Sequence, residues 1–439
     1  MEILLVAAYS FLFVYIIRKS RFFYVENFSA WILPSFFIVK CISGILLGLI
    51  YTHYYKNHSD ADTFKFFTDS NFIYESLWDK PYDFFRMFTG IYGKDSDLYV
   101  YYIKMDAWLN TSPLYNDNRT MIRLNAFFRF FSLGYYNVHV IFLNFISFTG
   151  LFCLYKTFSV YLSEKKLELI FLLFLMPSLI FWGSGLLKDG LLITATGFML
   201  YSFQKIMETG ITVRRILVFS VSIFVLAFIK VYVMVLMLPG LLAWFLTRKK
   251  NGWKVYLTFL GLYTLFFIIA FNLYHFNDEY NVAALLFYKQ KNFIEIGMRH
   301  AAKMISVVGY ECSGTSILYH APEAFAKTLF RPFLWDVRGN PMILLSALEN
   351  ILLIIMTIVS LITSNFHKPK IPAVIFSFIF VICLFVLISL ITPVLGAIVR
   401  YRIIGLPFLI FVLLYYYDRE KMKRIFHIKR ISKSKSQPD

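Results

Sequence analysis

His58-Ser59-Asp60-Ala61-Asp62 opens the long interruption at residues 53–135 in an otherwise apolar chain. Paired carboxylates beside a membrane surface can take a proton from an acceptor hydroxyl or amine. In a helix, Asp69 falls on the same face as Asp62, and so does His58. His58 with Asp60 and Asp62 could instead hold a divalent cation, and a solvated loop start is the plain alternative to both. Cations that could meet a phosphate lie far away in sequence. Ser184-Gly185-Leu186-Leu187-Lys188-Asp189-Gly190 sets Lys188 beside Asp189 at a helix start. There Lys188 could contact a phosphate, or Asp189 could simply favour the helix dipole. Arg331-Pro332-Phe333-Leu334-Trp335-Asp336 offers a planar guanidinium suited to pyrophosphate, or a snorkelling interfacial arginine. Arg400-Tyr401-Arg402 precedes the last apolar run, and Glu349 lies about two turns inside another. A carboxylate at that depth must face the bundle interior and pair with a basic group or a hydroxyl.

The elements that would carry these groups are membrane helices. Hydrophobic residues make up 59% of the chain and charged residues 16%, against about a quarter charged in soluble proteins. Mean hydropathy is +0.64. Fifty Phe and thirty Tyr suit lipid contact and the interfacial belt. A span needs about 20 apolar residues. The runs at 2–17, 29–52, 136–155, 169–183, 189–204, 216–229, 231–247, 255–274, 342–363, 371–392 and 403–417 predict about eleven. The expected fold is an all-α, polytopic integral membrane bundle forming one domain over 1–439. The chain start carries no basic n-region or small-residue cleavage site, so no cleavable signal is expected.

Charge placement sets the expected topology. The net charge of +18 does not form a nucleic-acid-binding stripe. It gathers in short loops: Arg18/Lys19/Arg21, Lys156/Lys165/Lys166, Lys205/Arg214/Arg215, Arg248/Lys249/Lys250/Lys254, Lys368/Lys370 and the tail 418–439. If the runs alternate, all of these share one side, which the positive-inside tendency makes cytoplasmic. The amino terminus is then outside and the carboxyl terminus inside, as expected of a multi-pass protein of the cytoplasmic (inner) membrane. Residues 216–247 hold two short runs around Lys230, and charge parity favours a tight hairpin with Lys230 at its outer end. Two large outer loops result, 53–135 and 275–341, with Thr63–Tyr74, Leu98–Trp108 and Asn281–Met304 expected as interfacial amphipathic helices. Cys41, Cys153, Cys312 and Cys383 show no CxxC spacing, so neither a disulfide framework nor a zinc site is assigned.

On this topology Asp60, Asp62, Lys188, Arg331, Arg400 and Arg402 share one membrane face. Cations there would hold a phosphate and a carboxylate would activate an acceptor. The chain resembles the GT-C superfamily of polyprenyl-phosphate-sugar-dependent glycosyltransferases and the related envelope polysaccharide polymerases. The residues that carry the likeness are His58–Tyr74, Arg123-Leu124-Asn125-Ala126 through Leu133-Gly134, Met176-Pro177-Ser178 with Ser184–Gly190, and Arg400-Tyr401-Arg402. The resemblance implies a catalytic base at Asp60 or Asp62, and phosphate binding by Lys188, Arg331, Arg400 and Arg402. His58, Asp69, Asp189 and Glu349 would support them. It implies a polyprenyl-phosphate lipid donor, a glycan or lipid-linked acceptor, contact with membrane lipids, and no cofactor beyond the alternative divalent cation. The acidic loop follows the second apolar run here rather than the first, and Asp60-Ala61-Asp62 replaces a paired Asp-Glu. No GxxxxGK[ST] segment supports nucleotide hydrolysis. An oligosaccharide polymerase or ligase of O-antigen type, leaning on Arg331, Arg400 and Arg402, is the alternative enzyme. A lipid or solute transporter is the alternative without catalysis.

Overall fold

The apolar runs become helices because backbone polar groups beside lipid must be satisfied within the segment. A computed structural model describes residues 1–53, 61–91, 96–105, 117–250, 252–299, 302–337, 341–364 and 371–425. His58 and Asp60 lie outside the described residues. The chain opens with α1 (Glu2–Lys19) and α2 (Ile32–His53), followed by α3 (Asp62–Asp79), α4 (Pro81–Thr89), α5 (Tyr99–Tyr102) and α6 (Asp117–Ser132). Then come α7 (Tyr136–Ser159), α8 (Lys166–Leu175), α9 (Pro177–Trp182), α10 (Lys188–Thr209), α11 (Val213–Thr247) and α12 (Trp253–Asn272). After α13 (Val282–Arg299) and α14 (Gly314–Phe330), the chain ends with α15 (Pro341–Thr363), α16 (Pro372–Ile391), α17 (Leu395–Arg402), α18 (Leu406–Tyr416) and α19 (Arg419–Ile425). No strand occurs among the described residues; a single bridge joins Met304 and Val394.

Among the described residues, six helices are long and apolar enough to cross a membrane, with α11 counted once despite its break at Lys230: α2, α7, α11, α12 extended to His275, α15 and α16. The pair α17–α18, bent by 63°, makes a seventh if counted as one span. The all-α, membrane-type architecture therefore stands, while eleven spans are not shown. Two causes are physical. The run at 169–183 breaks at Met176-Pro177 into α8 and α9, because proline has no N–H to donate and suits the first turn of a new helix. The run at 189–204 belongs to α10, which is wrapped by α7 and α11 and meets protein in place of lipid. Its Gly, Ser, Thr and Gln residues lower its apolarity, and part of that polarity is met within the helix: Thr194 donates to the Gly190 carbonyl and Gln204 to Glu208, each at 2.8 Å.

Close approach is what lets α10 sit there. Gly150 of α7 and Gly197 of α10 are in such contact that a Cβ on Gly197 would collide with the Gly150 carbonyl, and one on Gly150 with the Thr194 backbone. Small residues at a crossing bring membrane helices together in this way. At one end of the bundle, Lys40 of α2 donates to the Gly183 carbonyl at 2.6 Å, and the Ser147 hydroxyl donates to the same oxygen at 3.0 Å.

The hairpin expected at 216–247 is present. Lys230 interrupts α11 with non-helical backbone (φ −149°, ψ 85°). Phe203 of α10 meets Phe219 before the break, at 6.1 Å between ring centroids, and Trp244 after it, at 5.4 Å. In a straight helix those two residues would stand about 37 Å apart, so the chain reverses at Lys230. The basic loop ends also gather. Lys156 lies over the rings of Phe22 and Tyr201, Lys205 lies over Tyr201, and Lys165 donates to the Leu414 carbonyl. Lys230 is at the opposite end, beside the start of α10.

Residues 53–135 do more than line an interface. α3, α4, α5 and α6 enclose a second core of Phe66, Ile73, Phe84, Met87, Met121 and Phe128, which continues onto Val140 and Leu143 of α7. Within this layer Arg86 pairs with Asp83 at 3.3 Å and Asp97 at 2.6 Å, and its hydrogen bond holds the Asp97 carboxyl below the ordinary range. Of the expected helix Leu98–Trp108, Leu98 ends a 3-10 turn and Tyr99–Tyr102 is α-helical among the described residues. Helix α14 was not expected. It starts at Ser313, whose side chain accepts from the Ser316 N–H, and packs along α16 with Thr328 donating to the Phe385 carbonyl at 2.7 Å.

The α7–α10 crossing yields a direct test. Gly197→Leu must force two backbones apart and should cost about 1–3 kcal/mol or more. Gly261→Leu has open space around its Cβ and should cost nothing measurable. Thermal loss of the monodisperse peak in detergent, compared between the two variants, checks the order.

Candidate functional site

Several helix ends converge on one set of charges. Asp62 is the first residue of α3 and Asp117 the first of α6. Lys188 and Asp189 begin α10, Lys230 sits at the break of α11, and Arg400 lies in the last turn of α17. Carboxylates suit the first turn of a helix, where unpaired N–H groups and the macrodipole are positive. Leu186, Leu187 and Gly190 are all buried, so the short connection before α10 holds Lys188 and Asp189 against neighbouring helices rather than in solvent.

Asp189 is the centre of the arrangement, with its side chain fully buried. Arg400 Nε donates to its Oδ2 at 2.6 Å, and Lys230 Nζ stands 3.5 Å from its Oδ1. Arg400 also points outward, with one terminal nitrogen 3.5 Å from Asp62 Oδ2. Asp62 is 46% exposed, against 19% for Arg400. The guanidinium therefore links a buried carboxylate to one that solvent or a ligand can reach. Beside it, Lys188 Nζ donates to Asp117 Oδ2 at 2.6 Å. Aromatic rings close the sides: Lys230 lies 4.1 Å from the Tyr401 ring centre, Lys188 5.6 Å from Phe66, and Arg400 5.9 Å from Trp182. Three carboxylates thus face three cations. Such an arrangement could accept an anionic ligand if its outer pairs, Arg400–Asp62 and Lys188–Asp117, gave way to ligand contacts. The inner pair with the fully buried Asp189 fixes Arg400 independently of its contact with Asp62.

The structure brings together Asp62, Lys188, Asp189 and Arg400 of the residues expected from sequence. It leads the others elsewhere. Arg402 is fully buried and donates to Asn350 Oδ1 and to the Arg331 carbonyl, each at 2.9 Å. It also stands 3.5 Å from Glu349 Oε1, while Glu349 Oε2 accepts from the Ser178 N–H. Glu349 therefore faces the bundle interior and pairs with a basic group, as its depth requires. Arg331 pairs with Asp336 at 2.6 Å and lies over the Phe333 ring. Arg331 and Arg402 thus spend their guanidiniums on protein partners. Asp69 is buried two helical turns from Asp62. Among the described residues, no three of His, Cys, Asp and Glu come together as a metal site would need. The cation alternative that uses His58 and Asp60 falls outside those residues.

Asp117 and Lys230 are the members that sequence reasoning did not assign to the site. Lys230 carries a signal, being the lone charge in a 32-residue apolar stretch, but a hairpin tip accounts for that charge equally well. Asp117 carried none beyond standing before Arg119 and Arg123 on a helical segment. A further buried polar set, His139 between Asn125 (2.8 Å) and Ser132 (2.7 Å), pins α6 onto α7 behind the site. Comparison with protein-family models, curated proteins and solved structures finds no match for this chain.

The two acidic partners of Arg400 should differ in cost when neutralised. Asp189→Ala leaves buried cations uncompensated and should cost about 3–5 kcal/mol. Asp62→Asn removes a half-exposed partner and should cost about 0–1 kcal/mol. Thermal denaturation of both variants beside the parent chain, in the same detergent, measures the difference.

Proposed function

We propose that this chain is a membrane glycosyltransferase of GT-C type. It uses a polyprenyl-phosphate-linked sugar as donor and builds a cell-envelope glycan on the outer face of the cytoplasmic membrane. In this reading the basic end of the bundle is cytoplasmic and the Asp62–Arg400 end faces outward. The helical layer of residues 53–135 and the segment 275–341 belong to that outer side. The observation that carries the reading is the exposed Asp62 carboxylate held beside Arg400, with Lys188 next to it, at the ends of apolar helices.

The chemistry follows from the charges. The donor phosphate displaces the outer acidic partners and lies against Lys188 and Arg400. The acceptor hydroxyl gives its proton to Asp62 as its oxygen bonds to the anomeric carbon. The bond from that carbon to the phosphate oxygen breaks, and polyprenyl phosphate leaves with the electron pair. The two cations offset the charge that grows on the phosphate. Asp189 and Lys230 touch no substrate here; they position Arg400.

The internal pairing of Arg331 and Arg402 favours this reading over a polymerase or ligase that would need those arginines free. One observation favours a transporter as the second reading. Three helical segments are interrupted near the site, at Met176-Pro177, at Lys230 and at the α17–α18 bend, and broken helices are common where transporters bind their cargo. Product formation separates the two readings.

Purified protein in lipid vesicles, supplied with a labelled polyprenyl-phosphate hexose and an envelope glycolipid fraction as acceptor, should release polyprenyl phosphate. Asp62→Asn should lower that rate by about 10²–10⁴-fold with unchanged insertion and accumulation. Equal rates in Asp62→Asn, Asp60→Asn and the parent would remove the proposed base. Movement of intact donor across the vesicle membrane without release would support transport.

A further inference from the structure

A second cationic feature sits at the other end of the bundle and takes no part in the site above. A cavity of about 160 Å³ opens between the carboxyl end of α1, the segment leading to α2, and Ile170 of α8. Arg18, Lys19 and Arg21 line it together with Ser20, Ser29 and apolar groups including Ile17, Phe23 and Leu33. None of the three cations has an ion pair among the described residues; the Arg18 guanidinium lies 4.2 Å from the Trp31 ring centre. The local backbone is already satisfied, with Ser20 N–H bonded to the Ile16 carbonyl and the Ser20 hydroxyl accepting from Phe22 N–H.

The surroundings indicate the depth of this cavity. The α1 face carrying Ile3, Leu4, Phe11 and Leu12 is exposed, as a lipid-facing surface would be. Tyr15, Tyr24 and Trp31 are also exposed around the cavity, and such aromatics favour the headgroup level of a bilayer. Cations at that level attract anionic headgroups, while the apolar lining receives the first carbons below them. A cavity lined both by three cations without ion pairs among the described residues and by apolar side chains thus has the chemistry for one phosphate group attached to an acyl-bearing glycerol.

We propose that this cavity is a binding site for a phosphate-bearing headgroup, filled by an anionic phospholipid. Bound there, the lipid would meet the end of α1 through its headgroup and Ile170 of α8 through its first acyl carbons, and would neutralise the densest charge in the amino-terminal segment. The proposal is independent of any transferase activity.

Native mass spectrometry of the full chain, released from detergent with added phosphatidylglycerol or phosphatidylcholine, tests it. The parent chain should retain phosphatidylglycerol in preference to phosphatidylcholine. Arg21→Gln should weaken that retention about five-fold, and Arg18→Gln with Arg21→Gln should weaken it further, following about 1 kcal/mol per basic residue. Lys249→Gln with Lys250→Gln, at another basic loop, should leave it unchanged. Inorganic phosphate identifies the source: no competition means that the lipid headgroup is the ligand, and displacement means that the phosphate group alone suffices. Arg21→Gln is the fallback if the double variant fails to fold, because its side chain makes no hydrogen bond or ion pair among the described residues. Equal retention by the parent and Arg21→Gln, or equal retention of the two lipids by the parent, would overturn the proposal.

Discussion

A fully buried carboxylate is costly unless its charge is matched, and Asp189 is matched by two cations from distant segments. Arg400 arrives from α17 and Lys230 from the tip of the α11 hairpin. Their convergence explains features that look unrelated. The helical geometry of α11 gives way at Lys230, where the side chain must reach inward to Asp189. The bend between α17 and α18 leaves Arg400 at a helix end, free to face both Asp189 and Asp62. The first turn of α10 can be buried because its acidic residue has partners there. Removing the carboxylate would leave two cations in a dry place and undo the meeting of three segments.

Separation of roles follows from depth. The inner pair is dry and holds geometry; the outer pairs are wet and exchangeable. Asp62 and Asp117 are both more than 40% exposed, so an incoming anion can replace them without opening the core. Two residues further on, Arg402 makes a second, wholly internal junction with Glu349, Asn350 and the Arg331 carbonyl. Helix α17 thereby anchors one arginine in the protein and presents the other to the site. The apolar bundle supplies the low dielectric that makes both junctions strong.

Much of the fold was legible because long apolar runs have few physical solutions, and a lone lysine between two short runs calls for a hairpin. Helix α10 was legible in position but not in character. Its neighbours shield it from lipid, and a single sequence does not reveal neighbours. The small core formed by α3, α4 and α6 was hidden by aromatics that suit an interface equally well. At the site, Asp62, Lys188, Asp189 and Arg400 were readable as expensive charges near helix ends. Arg402 was read with Arg400 because both are arginines on one short segment. Residues two apart on a helix point about 200° from each other, so their fates diverged. Asp117 was invisible because an isolated aspartate in a polar stretch has no periodic signature, and its pairing with Lys188 is a long-range event.

A density map of the protein in lipid with a polyprenyl-phosphate-linked sugar bound bears most directly on the role of this charged junction. Phosphate density within hydrogen-bond reach of Lys188 and Arg400, with the sugar turned toward Asp62 and the Asp189–Arg400 pair intact, is the expected result. A phosphate held elsewhere, with the Arg400–Asp62 and Lys188–Asp117 pairs undisturbed, would contradict it.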